Sequence, residues 1–282
     1  MRLRNKVLIG VMFSCFLAMV ASGQTAQDGS MGLYQMTGNS EHSDSDRLFY
    51  LVDDFSELYT VPGFTFGAPS GLVPGCGVAF AGVSGTTSSN IDTDGAVSGG
   101  VGWGDPMSSV GGAVSLGVGS IDPRDGGAFN RGSLNVSLGH TFTKHGFGAS
   151  IGVTNVDLWH KSREDRVDES LYAALTKLLP NDFAPVIITA GLGNNGYTDV
   201  GRSLTAKQRK DEVDVFAAGA VYLIPQVALV LDYTSGITTL GTSIVPFPDY
   251  PIIIGLGAQD LTTELSEDQI KFVGTIGAGY AF

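Results

Sequence analysis

Four histidines, His42, His140, His145 and His160, are the residues through which this chain could perform metal or acid–base chemistry. They fall in an acidic lead, near a strand end, in a turn and in a loop, and none has HExxH or other paired ligand spacing. No metal site is expected. A serine nucleophile needs a base within hydrogen-bond reach and a third group to orient that base. Ser133 and Ser137 lie close to His140 in sequence, but alternate residues of a strand face opposite sides, which separates the serines from the imidazole. The run Gly99-Gly-Val-Gly-Trp-Gly104 has the glycines of a phosphate loop without the following helix that would supply amide donors. Cys15 and Cys76 form no CxxC pair. The chain is therefore read as non-enzymatic and without a cofactor.

The charged residues offer more. Asp232 falls on the opposite face of its strand from Val227, Leu229, Leu231 and Tyr233, and Glu212 and Asp214 open the preceding strand. Arg131 and Lys271 take the same face as Asp232 near other strand ends. Such a set could tune the ion selectivity of a pore, as rings of charge do; it could equally serve for mutual pairing in a closed interior. Arg202, Lys207, Arg209 and Lys210 form a basic cluster in a long loop, and a second loop, 158–168, carries mixed charges. Mixed-sign runs read first as solvated surface. The functional reading is a cationic mouth or a contact with phosphorylated lipid.

The elements that position these residues are strands. The chain has 282 residues with 40 glycines, 16 % charged and 43 % hydrophobic residues, and a net charge of −12. Glycine at this level disfavours a helical protein, since each costs a helix about 1 kcal/mol, and the apolar content is too high for disorder. Arg2, Arg4 and Lys6 followed by the apolar run Val7–Val20 and Ala21-Ser22-Gly23 read as a secretory signal cleaved after Gly23. Cleavage lowers the basic residues from 16 to 13 against 28 acidic ones, a net −15. Nucleic acid, which requires clustered Lys and Arg, is not an expected partner.

From Cys76 onward, apolar and small residues alternate with the period of strands. Twelve are expected, near 76–86, 95–104, 110–121, 131–142, 146–157, 169–178, 184–195, 212–224, 226–235, 238–246, 250–259 and 270–282. The stretch 169–178 suits a helix equally well, because Leu171, Leu175 and Leu178 have helical spacing. An even count, with short turns at one end and longer loops at the other, favours strands throughout. One strand face is Leu, Val, Ile and Phe; the other is Gly, Ser, Ala and Asn with hardly a charge. A soluble sandwich would place Lys, Glu and Thr on its wet face. The observed pattern suits apolar residues toward lipid and small ones in a crowded lumen. Trp103, Phe142, Phe147, Tyr222, Tyr250 and Tyr280 near one end, and Trp159 and Tyr197 near the other, read as interfacial girdles.

The signal, the glycine-rich alternating strands and the ending Ile276-Gly-Ala-Gly-Tyr280-Ala-Phe282 resemble Gram-negative outer-membrane β-barrels. The resemblance implies an all-β, antiparallel up-and-down transmembrane barrel over 76–282, located in the outer membrane. It also implies that Ile276, Tyr280 and Phe282 carry the signal read by the barrel-assembly machinery. Outer-membrane lipid and lipopolysaccharide are then partners, and the oligomeric state stays open. Residues 24–75 form an acidic N-terminal extension, either an ordered lead-in at the barrel base or a plug entering the lumen. The expected function is a passive porin-like channel for small solutes. The alternatives are a closed structural or adhesive barrel with a filled lumen and, third, a lipid hydrolase.

Overall fold

The computed structural model describes residues 60–88, 91–119, 129–161, 168–181, 183–202, 205–262 and 270–282. The signal segment, His42, the lead-in up to residue 59 and most of the charges of loop 158–168 lie outside the described residues.

Twelve antiparallel strands close into a barrel: β1 (Val78–Ser88), β2 (Ile91–Gly104), β3 (Gly111–Gly119), β4 (Arg131–Phe142), β5 (Phe147–His160), β6 (Ser170–Leu179), β7 (Val186–Asn194), β8 (Val213–Ile224), β9 (Val227–Thr234), β10 (Ile237–Ile244), β11 (Ile252–Gln259) and β12 (Lys271–Ala281). Each strand pairs with its neighbours in sequence, and β1 pairs with β12, with Val78 opposite Ala281 and Val83 opposite Ile276. Closure leaves no strand edge to pair with another chain. Phe282 N–H adds a 2.8 Å bond to the Gly77 carbonyl beyond the last ladder pair.

The segment with two readings, 169–178, is strand β6. Leu171 and Leu175 point outward, 58 % and 59 % exposed, while Leu178 points inward and is 1 % exposed. Leucines four apart share a face in a helix and in a strand alike; the third, three residues on, separates the two forms.

A turn and a bulge help to fix the register. Ser235 (φ 58°) and Gly236 (φ 82°) make the two-residue turn between β9 and β10. Positive φ at both central positions is the primed geometry that matches strand twist. Asn155 (φ 60°) sits where the β4–β5 register shifts, and its N–H donates to Asn135 Oδ1 at 2.8 Å. At the end bearing Phe282, short turns join β2–β3, β4–β5, β6–β7, β8–β9 and β10–β11. The longer loops are at the other end, called the outer end below.

Alternation sorts the side chains cleanly. Val114, Leu116, Leu138, Ile151, Ile188, Leu192, Leu229, Leu231, Leu240, Leu256, Phe272 and Ile276 are all exposed on the outside. Ser115, Asn135, Thr141, Ser150, Thr176, Thr189, Thr239 and Ser243 are buried within.

Candidate functional site: the barrel interior

The described part of the N-terminal extension runs inside the barrel. Its sequence, Thr60 to Gly75, carries no charge and is too rich in Gly and Pro for a helix or strand. Val61, Phe64 and Leu72 are buried against Leu178, Ile187, Ala220, Tyr222, Ala228 and Val230, the inward residues of β6 to β9, with Phe66 packed alongside. This apolar core lies where an open bore would hold water.

Polar groups of the wall hold the same stretch by its backbone. Asp232 is 2 % exposed, and its Oδ2 accepts N–H bonds from Phe66 (2.9 Å), Gly67 (3.0 Å) and Ala68 (3.0 Å). Its other oxygen accepts from the Thr234 hydroxyl at 2.7 Å. Charge-assisted bonds of this kind are roughly twice as strong as neutral ones. Gly63 N–H donates to Ser243 Oγ (2.7 Å), and Gly71 N–H to Thr176 Oγ1 (2.8 Å). Ser150 Oγ donates to the Ser70 carbonyl (2.6 Å), and the Tyr222 hydroxyl to the Pro62 carbonyl (3.0 Å).

Glycines make room for this threading. A Cβ on Gly71 would run into the Gly148 carbonyl and come within 2.5 Å of Thr176 N, both backbone atoms of the wall. A Cβ on Gly148 would meet Leu72 Cδ2 at 2.6 Å, and one on Gly241 would meet Phe66 Cζ at 2.5 Å.

From the outer end, the β7–β8 loop folds into the barrel to meet the extension. The short 3-10 turn Asn195–Tyr197 carries Tyr197 inward, where it is 2 % exposed. The Tyr197 ring packs against Phe216 (5.4 Å between centroids) and Tyr172 (5.9 Å), and its hydroxyl lies 3.1 Å from Thr154 Oγ1. Ala68 belongs to the same buried cluster, with Ala174 and Ala218. The extension from one end and the loop from the other therefore share a single packed core.

Arg202 fastens the loop to the barrel rim. Its guanidinium bonds to Glu212 Oε1 and Asp214 Oδ2, and its Nε lies 3.6 Å from Asp199 Oδ2. The Asp214 hydrogen bond raises the already high pKa of Arg202. Asp214 Oδ2 also accepts the Asp199 N–H at 3.0 Å, and Val200 N–H reaches the Ser235 carbonyl at 3.0 Å. Helix α1 (Ala206–Asp211) completes the loop, its first turn closed by a Thr205–Gln208 capping box.

These contacts place the charges singled out in the sequence. Asp232 faces inward, its Oδ2 covered by backbone amides of the extension. Asp214 and Glu212 are ion-paired with Arg202 at the rim. Within the basic cluster, besides Arg202, Arg209 reaches Thr198 Oγ1 (3.4 Å) and the Arg202 carbonyl (3.3 Å), and Lys210 pairs with Glu169 (2.7 Å). Lys207 remains exposed. Tyr222 and Tyr197 are interior residues, not girdle residues.

Other residues occupy the faces expected of them. Arg131 begins β4 and folds over Gly119; Lys271 begins β12, half-buried opposite Gln259. Trp103, Phe142, Trp159, Tyr250 and Tyr280 are exposed on the outside. Ile276, Tyr280 and Phe282 all face out, with the last two rings stacked at 6.4 Å. Of the histidines, His140 Nδ1 contacts the Ser109 carbonyl, His145 lies in the β4–β5 turn, and His160 Nδ1 lies 2.8 Å from Asp157 Oδ2 at the outer end.

A closed, even-stranded barrel with an apolar exterior and exposed aromatics near its strand ends is built for a bilayer. The chain has the fold of a transmembrane β-barrel. Among solved structures it is similar to the COG4313 outer membrane channel of Pseudomonas putida F1, at 11 % identity and TM-score 0.43, over 75 % of this chain and 97 % of that one. It is also similar to the Acinetobacter baumannii outer membrane protein Omp33, at 10 % identity and TM-score 0.40, over 73 % and 98 % of the two chains. Outer membrane phospholipase A of Escherichia coli matches at 10 % identity and TM-score 0.43, over 82 % and 96 %. No protein-family model and no curated protein matches the sequence.

Proposed function

We propose that the protein is a porin-like channel for small solutes that is closed at rest by its own N-terminal extension and opens when that plug is displaced. The observation that carries this reading is the buried Asp232 carboxylate, which accepts three hydrogen bonds from the backbone N–H groups of Phe66, Gly67 and Ala68. A permanent filler has no need of a buried carboxylate, because an apolar replacement of similar size is often as stable. A single charged anchor that water can solvate on release suits a filler that leaves. No covalent step or cofactor enters this reading.

The second reading is a permanently filled structural barrel, favoured by the apolar packing of Val61, Phe64 and Leu72 on β6 to β9. Conductance of the refolded chain in planar bilayers separates the two. A plugged channel gives rare steps that become frequent in Asp232→Ala. A structural barrel stays silent in both.

A further inference from the structure

We propose that the outward inner-end surface of β4, β5 and β6 is a binding site for the phosphate headgroup of an anionic phospholipid. This surface belongs to the barrel wall and does not depend on whether the bore conducts.

The site is built across three strands in register. Phe142 on β4 is opposite Phe147 on β5, and Phe147 is opposite Lys177 on β6. The two phenyl rings stack at 4.4 Å and 18°, and the His140 ring meets Phe142 edge-on at 4.4 Å. The Lys177 ammonium donates to the carbonyl of His145, in the turn that also carries Lys144. That bond draws the ammonium to the turn and leaves its other protons available. Lys144, His145 and Lys177 are all exposed, and the His145 ring lies 6.3 Å from Phe147.

Charge distribution singles this surface out. The chain as a whole is acidic, with 28 Asp and Glu against 16 Lys and Arg. Among the described residues, Lys144 and Lys177 are the only lysines or arginines at the inner end, and both converge on one turn. Asp105, in the β2–β3 turn, directs its carboxylate to Met107 N–H, Ser108 N–H and the Ser108 hydroxyl. Asp249 lies in the β10–β11 turn, several strands away; Asp182 lies outside the described residues. An aromatic pair at the bilayer edge packs on acyl chains just below the headgroups, and the exposed Lys144 and Lys177 bring two positive charges to the turn beside that pair. A wall facing lipid meets phospholipid first, so the occupant is a lipid and not a free anion.

The full chain, refolded in mixed phosphatidylcholine and phosphatidylglycerol, tests this by native mass spectrometry of retained lipid. The wild type should retain phosphatidylglycerol preferentially. Lys144→Gln and Lys177→Gln should each lower that preference about fivefold, the value of one basic residue near an anionic surface. Heat-modifiable gel migration checks that the variants fold. On the wild type alone, about 1 M salt, where the screening length is roughly 3 Å, should abolish the preference. Equal retention of the two lipids, a preference unchanged in the double variant, or equal competition by inorganic phosphate would overturn the site.

Discussion

Asp232 on β9 and Gly67 on the N-terminal extension are joined by a 3.0 Å hydrogen bond that spans 165 residues of sequence. The same carboxylate oxygen takes the amides on either side, from Phe66 and Ala68. Three donors on one oxygen tie a stretch without secondary structure to the wall at a single point.

Asp232→Ala should free that point while the strand ladder stays closed. Each amide left without its acceptor costs about 1–3 kcal/mol if it stays buried, which drives the stretch to find water. Hydrogen exchange at residues 66–68 should accelerate while the strands stay protected. Exchange unchanged at these amides would remove Asp232 as the anchor.

Gly71→Ala should be far more disruptive than Gly99→Ala. At Gly71 the new methyl meets wall backbone that no side-chain rotation can clear, whereas at Gly99 the nearest atom lies 3.5 Å away, ordinary contact. Overpacking of this kind costs about 1–3 kcal/mol. Urea unfolding from vesicles should show the difference, and protease should reach the extension only in the first variant.

Leu72→Ala addresses the apolar half of the closure. Leu72 is buried in the core with Leu178 and Ile187, and removal of such a side chain typically costs about 2–5 kcal/mol. A lower unfolding midpoint is expected, with faster exchange along 70–73. An unaltered midpoint would mean that this packing is dispensable.

Arg202→Gln should loosen the β7–β8 loop, read as faster proteolysis between Tyr197 and Glu212. High salt should loosen the wild type in the same direction, since the pairs are partly exposed and screened. The sign of the pH effect follows from Arg202. Its pKa is raised in the folded chain, so its contribution is full below the unfolded value and lost only above the folded one. Both lie far above neutrality, so its own titration gives no pH dependence from pH 5 to 9.

The wall of the barrel was legible in the sequence because lipid imposes one rule on every strand. Leu171 and Leu175 on one face of β6, and Val227, Leu229 and Leu231 on one face of β9, announce themselves by period two. The interior follows no such rule. Thr60–Gly75 has no period to detect, and its partners are single polar residues spread over β5, β6, β8, β9 and β10. Residue type and position along the chain point Tyr222 and Tyr197 to the girdles. For Tyr222, parity with Ala220 and Ala218, opposite to Val221 and Leu223, already pointed inward. For Tyr197 no alternation exists, since it sits in a loop whose path is set by Phe216, Ser235 and Arg202.

A lockable plug tests the closure most directly. Ser70 Oγ and Thr176 Oγ1 lie 3.4 Å apart, on the extension and on β6. Cysteines at both positions, with Cys76→Ser to remove the free thiol, should form a reducible link between them. Single-channel recordings of this variant should be silent when oxidised and should show steps on reduction. Equal steps in both states, or silence in both, would contradict a bore closed by a displaceable extension.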